Sequence, residues 1–208
     1  AHLLPFKLEN DVWGMGVSFF HDQAGDGALS TLNISVSTAY TKRITKHFFI
    51  GVGVQAGFGN RRFDLQRLTF NDQFNGDVYD PNITSFDQGK FAGNTNLSYA
   101  DVNTGINFRY QSSDRTWINL GGGLFHLTRP EVSFLGDSDV RLPMRWNVVA
   151  NASIRLSERI DLMPSVLFQR QLVYQEIVYG PDLRYHYNTN PGREMSGSIG
   201  VMNRRDEA

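Results

Sequence analysis

The chain has 208 residues, a formal net charge of -1 and no cysteine. Near-neutrality argues against a nucleic-acid binder, which carries a basic excess, and the lack of cysteine excludes disulfides and thiolate metal sites. No apolar run approaches the ~18 residues of a membrane helix, and mean hydropathy is -0.34.

A membrane β-barrel passes both hydropathy tests, because its strands carry a diluted signal. The 20 glycines and 15 phenylalanines suit barrel walls and interfacial girdles, and equally a soluble β-sandwich. No signal-peptide pattern starts at Ala1, so a mature or trimmed chain is expected.

The lead from Ala1 to Asn10 carries no assignable pattern. Asp11 to His21 alternates Trp13, Met15, Val17 and Phe19 with small or polar residues, the period of a strand. The turn-rich segment His21 to Gly27 leads into a strand over Ala28–Lys42, and the basic turn Thr41–Lys46 into one over His47–Gly59. In the latter, Ile50, Val52, Val54, Ala56 and Phe58 oppose a row of glycines broken by Gln55. A glycine row marks an inner face where bulky side chains are unwanted or neighbouring strands approach closely. Asn60 to Asn96 is long, polar and irregular, which marks a functional or disordered loop.

The clearest hairpin follows. Val102, Thr104, Ile106, Phe108 and Tyr110 alternate with Asp101, Asn103, Gly105, Asn107 and Arg109. The turn Gln111–Arg115 then returns the chain through Ile118, Leu120 and Leu124. Two strands of about ten residues joined by a tight turn suit a transmembrane hairpin, although alternation alone also fits a half-solvated sheet. A second long connection, Thr128–Pro143, precedes strands over Met144–Ser157, Ile160–Arg170, Val173–Tyr187 and Met195–Arg204. No domain boundary and no helix of useful length interrupt the series of roughly nine strands.

Alternate connections are short (Thr41–Lys46, Gln111–Arg115, Ser157–Arg159, Asn188–Arg193), and both long loops fall among the others. That segregation is the habit of outer-membrane barrels. The expected fold is therefore all-β, an antiparallel up-and-down transmembrane barrel of the outer-membrane type. A single barrel domain covers 1–208, with long extracellular loops at about 60–96 and 128–143.

The block from Trp13 to Gly25, WGMGVSFFHDQAG, resembles the opening signature of PorP/SprF-like outer-membrane proteins of the type IX secretion system. The resemblance continues, in the family's order, through Tyr99–Gly105, Phe125–Pro130, Val132–Gly136, Arg141–Pro143 and Leu162–Leu167. Members are longer, so the resemblance implies a barrel incomplete at both ends. It also implies a role in protein export at the bacterial outer membrane, with a secreted cargo protein (through its C-terminal domain), secretion-system components and membrane lipid as partners. A passive porin is the alternative.

Catalytic readings are weaker. His126 and Thr128 lie two apart on one face and resemble a barrel-embedded hydrolase pair, but no carboxylate or amide partner is identifiable in the sequence. Asp72, Asp77, Asp80 and Asp87 match no EF-hand spacing and read as solvated loop acids. Gly121–Gly123 has no helix behind it and is no phosphate loop. No catalytic residue, metal or cofactor is expected.

Partner contacts are expected in two places. The loops offer Arg61, Arg62, Arg67, Phe70, Phe74, Tyr79, Phe86, Phe91 and Phe134, residue types that anchor interfaces. The lumen offers Asp101, Asn103, Asn107, Arg109, Asn147, Asn151 and Arg155, whose charges must pair or meet water.

Overall fold

Wherever the sequence alternates with a period of two, the backbone is extended. The computed structural model describes residues 2–8, 11–25, 29–76, 78–80, 82–90, 94–188 and 195–207. In chain order the strands are β1 (His2–Leu8), β2 (Asp11–Ala24), β3 (Leu29–Arg43) and β4 (Phe48–Arg62). The loop that follows holds β5 (Phe74–Asn75), β6 (Val78–Tyr79) and the single helical turn α1 (Phe86–Lys90). The wall resumes with β7 (Asn96–Gln111), β8 (Trp117–Phe125), β9 (Arg145–Arg155), β10 (Ile160–Gln171) and β11 (Tyr174–Asn188). It ends in β12 (Met195–Gly200) and β13 (Asn203–Glu207).

Eleven strands form one sheet, in the order β1-β2-β3-β4-β7-β8-β9-β10-β11-β12, with β13 also on β11. Every pairing is antiparallel, so the sheet is an up-and-down meander. Among the described residues β1 does not pair with β12 or β13, and the wall is open at that point.

Two strands exceed the sequence expectation. The unassigned lead contains β1, which pairs with β2 from His2↔Val17 to Leu8↔Asp11; Pro5 and the brevity of the segment hide its alternation. The expected strand Met195–Arg204 is two strands in one register, interrupted opposite Gly180 and Pro181. Pro181 has no N–H to give the ladder. The Val201 carbonyl sits so close over Gly180 that an added Cβ would lie 1.9 Å from its oxygen. Pro164, in register with Pro181 on β10, interrupts the β9–β10 ladder in the same way, since Met163 and Pro164 have no β9 partner.

The sheet is apolar on one face, taken as the outer one, and polar on the other. No hydrophobic side chain among the described residues is fully buried, and the most buried ones are Gln73, Asp161, Ser85 and Ser153. Ile106 is 43% exposed and Val148 40%, on the outward row with Val52, Val54, Phe58, Leu120 and Leu124. Water would penalise such a surface, whereas lipid covers it without cost. On β4 the outward row from Phe48 to Phe58 follows ~33 Å of strand at ~3.3 Å per residue. At a tilt of ~40° that rises ~25 Å, the height of an outer-membrane apolar band.

Inward, glycines let side chains lie flat on the neighbouring strand. The Tyr99 ring covers Gly59, its register partner, where a Cβ would come within 2.3 Å of the ring. Its hydroxyl reaches Asn33 Oδ1 on β3 at 3.4 Å. The loop ends segregate as expected, with 44–47, 112–116 and 156–159 at one end and 63–95 and 126–144 at the other. The two-residue turn Leu172–Val173 is a short connection at the long-loop end, made possible by positive φ at Leu172. The turns expected at His21–Gly27 and Asn188–Gly192 lie partly outside the described residues.

Candidate functional site

The 63–95 loop is built on short-range polar contacts. Gln73 is almost wholly buried, accepts from the Phe70 N–H at 2.9 Å and donates to the Ile83 carbonyl at 3.0 Å. Asp72 accepts from the Phe86 N–H at 2.8 Å. Hydrogen bonds from the Ser85 hydroxyl first, and then from that N–H, hold the Asp72 carboxyl below its ordinary value of 3.8. The loop acids therefore do not gather: Asp80 accepts from Asn82 and Asp87 from Lys90. Asp77 lies outside the described residues.

This polar frame displays apolar groups. Phe86, Val78 and Phe74 are well exposed, and Phe74 pairs with Tyr79 at 5.7 Å between ring centroids. Lys90 lies 4.9 Å over the Phe86 ring. Phe70 is half-buried. Phe134 instead packs edge-on against Phe63 at 4.9 Å, tying the second long loop to the root of the first. Arg61 and Arg62 belong to the end of β4, and Arg67 faces Asp64 at 3.5 Å. Phe91 lies outside the described residues.

On the inner wall the expected polar residues face one way but engage different partners. A chain of hydrogen bonds crosses neighbouring strands: Ser18 to Ser35 (2.5 Å), Gln55 Nε2 to Ser35 Oγ (2.7 Å) and Asn103 Nδ2 to Gln55 Oε1 (2.9 Å). Asn103 Oδ1 then accepts from the His126 N–H at 2.9 Å. Asp101 pairs with His126 Nδ1 at 2.7 Å and accepts from Thr128 Oγ1 at 3.3 Å. The sequence alone offers His126 no carboxylate partner, and the structure supplies Asp101 from β7. Thr128 bonds to Asp101 and the Ala100 carbonyl, not to the histidine, so no nucleophile–base pair forms. Arg109 stacks over Trp117 at 4.8 Å and Arg155 pairs with Glu158. Asn107 and Asn147 border a trough of about 480 Å³ floored by Gly53, Gly105 and Gly123. Asn151 lies further down the wall, in register with Asn119 and Ser165.

At the opposite end sits a cluster that sequence reasoning missed. Asp161 is 1% exposed and accepts from Arg115 Nε at 3.0 Å and Nη2 at 2.5 Å, and from His186 Nε2 at 2.7 Å. Arg115 also donates to the carbonyls of Glu158 and Ser157. The inward parity of Asp161 and His186 is readable from their strands; that a turn arginine reaches both is not.

The sequence profile described as "Type IX secretion system membrane protein PorP/SprF" matches residues 4–202, nearly the whole chain. The chain belongs to the PorP/SprF family. This is a family of membrane proteins of the type IX secretion system. No curated protein sequence matches it. Among solved structures, the CymD monoaromatic hydrocarbon channel is similar at a TM-score of 0.55 and 10% identity, over 99% of this chain and 68% of that one. A Pseudomonas aeruginosa FadL homologue is similar at 0.48 and 9% identity, over 99% and 69%. The CymD likeness establishes the outer-membrane barrel fold for this PorP/SprF member and nothing of its ligands.

Proposed function

We propose that this PorP/SprF protein crosses the bacterial outer membrane many times and holds a secreted cargo protein, or a secretion-system component, at its long-loop end. The observation that carries the reading is the display of Phe74, Val78 and Phe86 on a loop whose own fold is secured by the polar contacts of Asp72, Gln73 and Ser85. Val78 and Phe86 are the most exposed of the three, and an exposed aromatic beside Lys90 is the kind of group that anchors an interface. Phe134 is different: its contact with Phe63 folds loop on loop. The inner-wall residues Asn103, Asn107 and Asn147 form a second contact region below the loops.

The long loops then face outside and the short turns the periplasm. Cysteines at Thr84 and Ser113, both exposed and in a chain without native cysteine, report this on intact cells. Labelling at Thr84→Cys alone is expected; labelling at Ser113→Cys alone reverses the orientation. Deletion of Asp72 to Gly89 should leave the heat-modifiable barrel intact and abolish surface retention of the partner. Unchanged retention moves the site to the inner wall or the turns. The amide-bordered trough of about 480 Å³ favours a second reading, a solute channel, which predicts ion conductance by pure, partner-free protein in planar bilayers.

A further inference from the structure

The outward aromatic residues differ between the two ends of the wall. Near the short turns they are Trp13, Tyr40, Tyr110, Tyr185 and Tyr187, all exposed, together with the half-buried, stacked Phe48–Phe108 pair. Near the long loops they are chiefly Phe19, Phe58 and the Trp146–Phe168 pair, whose ring centroids are 5.2 Å apart. Rings with a polar tip belong where hydrocarbon meets headgroups, with the ring in the apolar layer and the hydroxyl in the wet one. The short-turn end therefore carries an interfacial belt richer in hydrogen-bonding groups.

Just beyond that belt the exposed charges are basic. Lys42 follows Tyr40 on the same face of β3, ~6.6 Å nearer the turn at ~3.3 Å per residue. Lys46 lies in the β3–β4 turn, and Arg159 in the β9–β10 turn extends Nη1 to within 3.4 Å of the Tyr185 hydroxyl. None of the three makes an ion pair among the described residues, and all are exposed. The nearby acids are mostly engaged: Asp11, which lies across the β2–β3 ladder from Lys42, by Tyr40 and the Arg43 N–H, Glu158 by Arg155, and Asp161 by Arg115 and His186. Asp114 and Glu158 are exposed acids on this rim.

We infer that Lys42, Lys46 and Arg159 form a collar that binds the anionic headgroups of phospholipids in the leaflet met by the short turns. The collar rests on the membrane reading and is independent of which end faces the periplasm. A lipid and not a soluble anion is the occupant, because the cations stand directly past a lipid-covered apolar face and beside tyrosine hydroxyls. A phosphodiester there meets ammonium or guanidinium groups while its acyl chains lie along Trp13, Tyr40 and Tyr185. The basic groups also fix the depth of the wall, since drawing them into the hydrocarbon would strip their hydration.

Native mass spectrometry of the folded chain in detergent, with an equimolar mixture of phosphatidylglycerol and phosphatidylcholine, tests the collar. Retention of phosphatidylglycerol is expected to exceed that of phosphatidylcholine, with each basic group contributing roughly fivefold. The triple variant Lys42→Gln, Lys46→Gln, Arg159→Gln should bring the two lipids close to parity. Arg170→Gln with Arg205→Gln, outward charges at the other end, should leave the preference unchanged. The single variants, each expected to lose roughly fivefold, carry the test if the triple variant loses its heat-modifiable mobility. No preference in the unaltered protein, or a preference that survives the triple variant, overturns the collar. Failure to insert into phosphatidylcholine vesicles at all would instead overturn the membrane reading.

Discussion

Two carboxylates sit at opposite ends of the inner wall, each against a histidine, and they are held in different ways. Asp161 faces a permanent cation: Arg115 grips it through two nitrogens while donating to the Ser157 and Glu158 carbonyls, and His186 closes the third side. The contact joins the β7–β8 turn, the β9–β10 turn and β11 into one unit. Asp101 has no arginine. Its partners are His126, held at positive φ immediately after β8, and Thr128 two residues on. Both belong to the root of the 126–144 loop, so Asp101 fastens that loop to the wall without tying strand to strand. The short-turn end is thus locked by a guanidinium on a carboxylate, and the long-loop end by a histidine and a hydroxyl at the root of a long loop.

The comparison breaks most sharply at Asp161. Its replacement by Ala strands a part-buried guanidinium and should destabilise the folded wall by about 3–5 kcal/mol, read by urea titration of heat-modifiable mobility. Between the two ends the wall itself predicts a face effect. Ile106→Arg or Val148→Arg should cost about 2–4 kcal/mol in lipid, and Arg at Asn107 or Asn151 distinctly less. Equal penalties would refute the assignment of inside and outside. Asp101→Ala leaves a histidine and a hydroxyl unmatched and should cost about 1–3 kcal/mol, less than Asp161→Ala in the same titration. A larger loss at Asp101 inverts the comparison.

The smallest effect is a pH dependence confined to the 63–95 loop. The Asp72 carboxyl is held below its ordinary value of 3.8 by Ser85 and the Phe86 N–H. Its contribution is therefore fully present above 3.8 and is lost as pH falls through the depressed value. Hydrogen exchange at the Phe86 amide should accelerate below that point, and Ser85→Ala should move the acceleration to higher pH. An exchange profile identical in the two proteins would remove Asp72 from the loop's support.

Much of the wall was legible before any coordinates. The outward rows of β2, β4 and β7, the inward glycines and the segregation of loop lengths follow from a period-two pattern carried by each strand alone. The family blocks were local too, and they led to the family that the profile over residues 4–202 establishes. The lead was not readable, because a strand of seven residues containing Pro5 gives too few alternations to stand out. The break between β12 and β13 was hidden for another reason: its cause, Gly180 and Pro181, lies on the facing strand.

The sequence by itself determined which residues alternate, and hence that a wall with one apolar and one polar face would form. Only the tertiary structure decided which inward groups meet. His126 finds Asp101 from 25 positions away, and Arg115 finds Asp161 from 46, because antiparallel register carries distant residues to one level of the sheet. Burial at that level then requires each charge to take a partner, and a strand read alone names the charge without naming the partner.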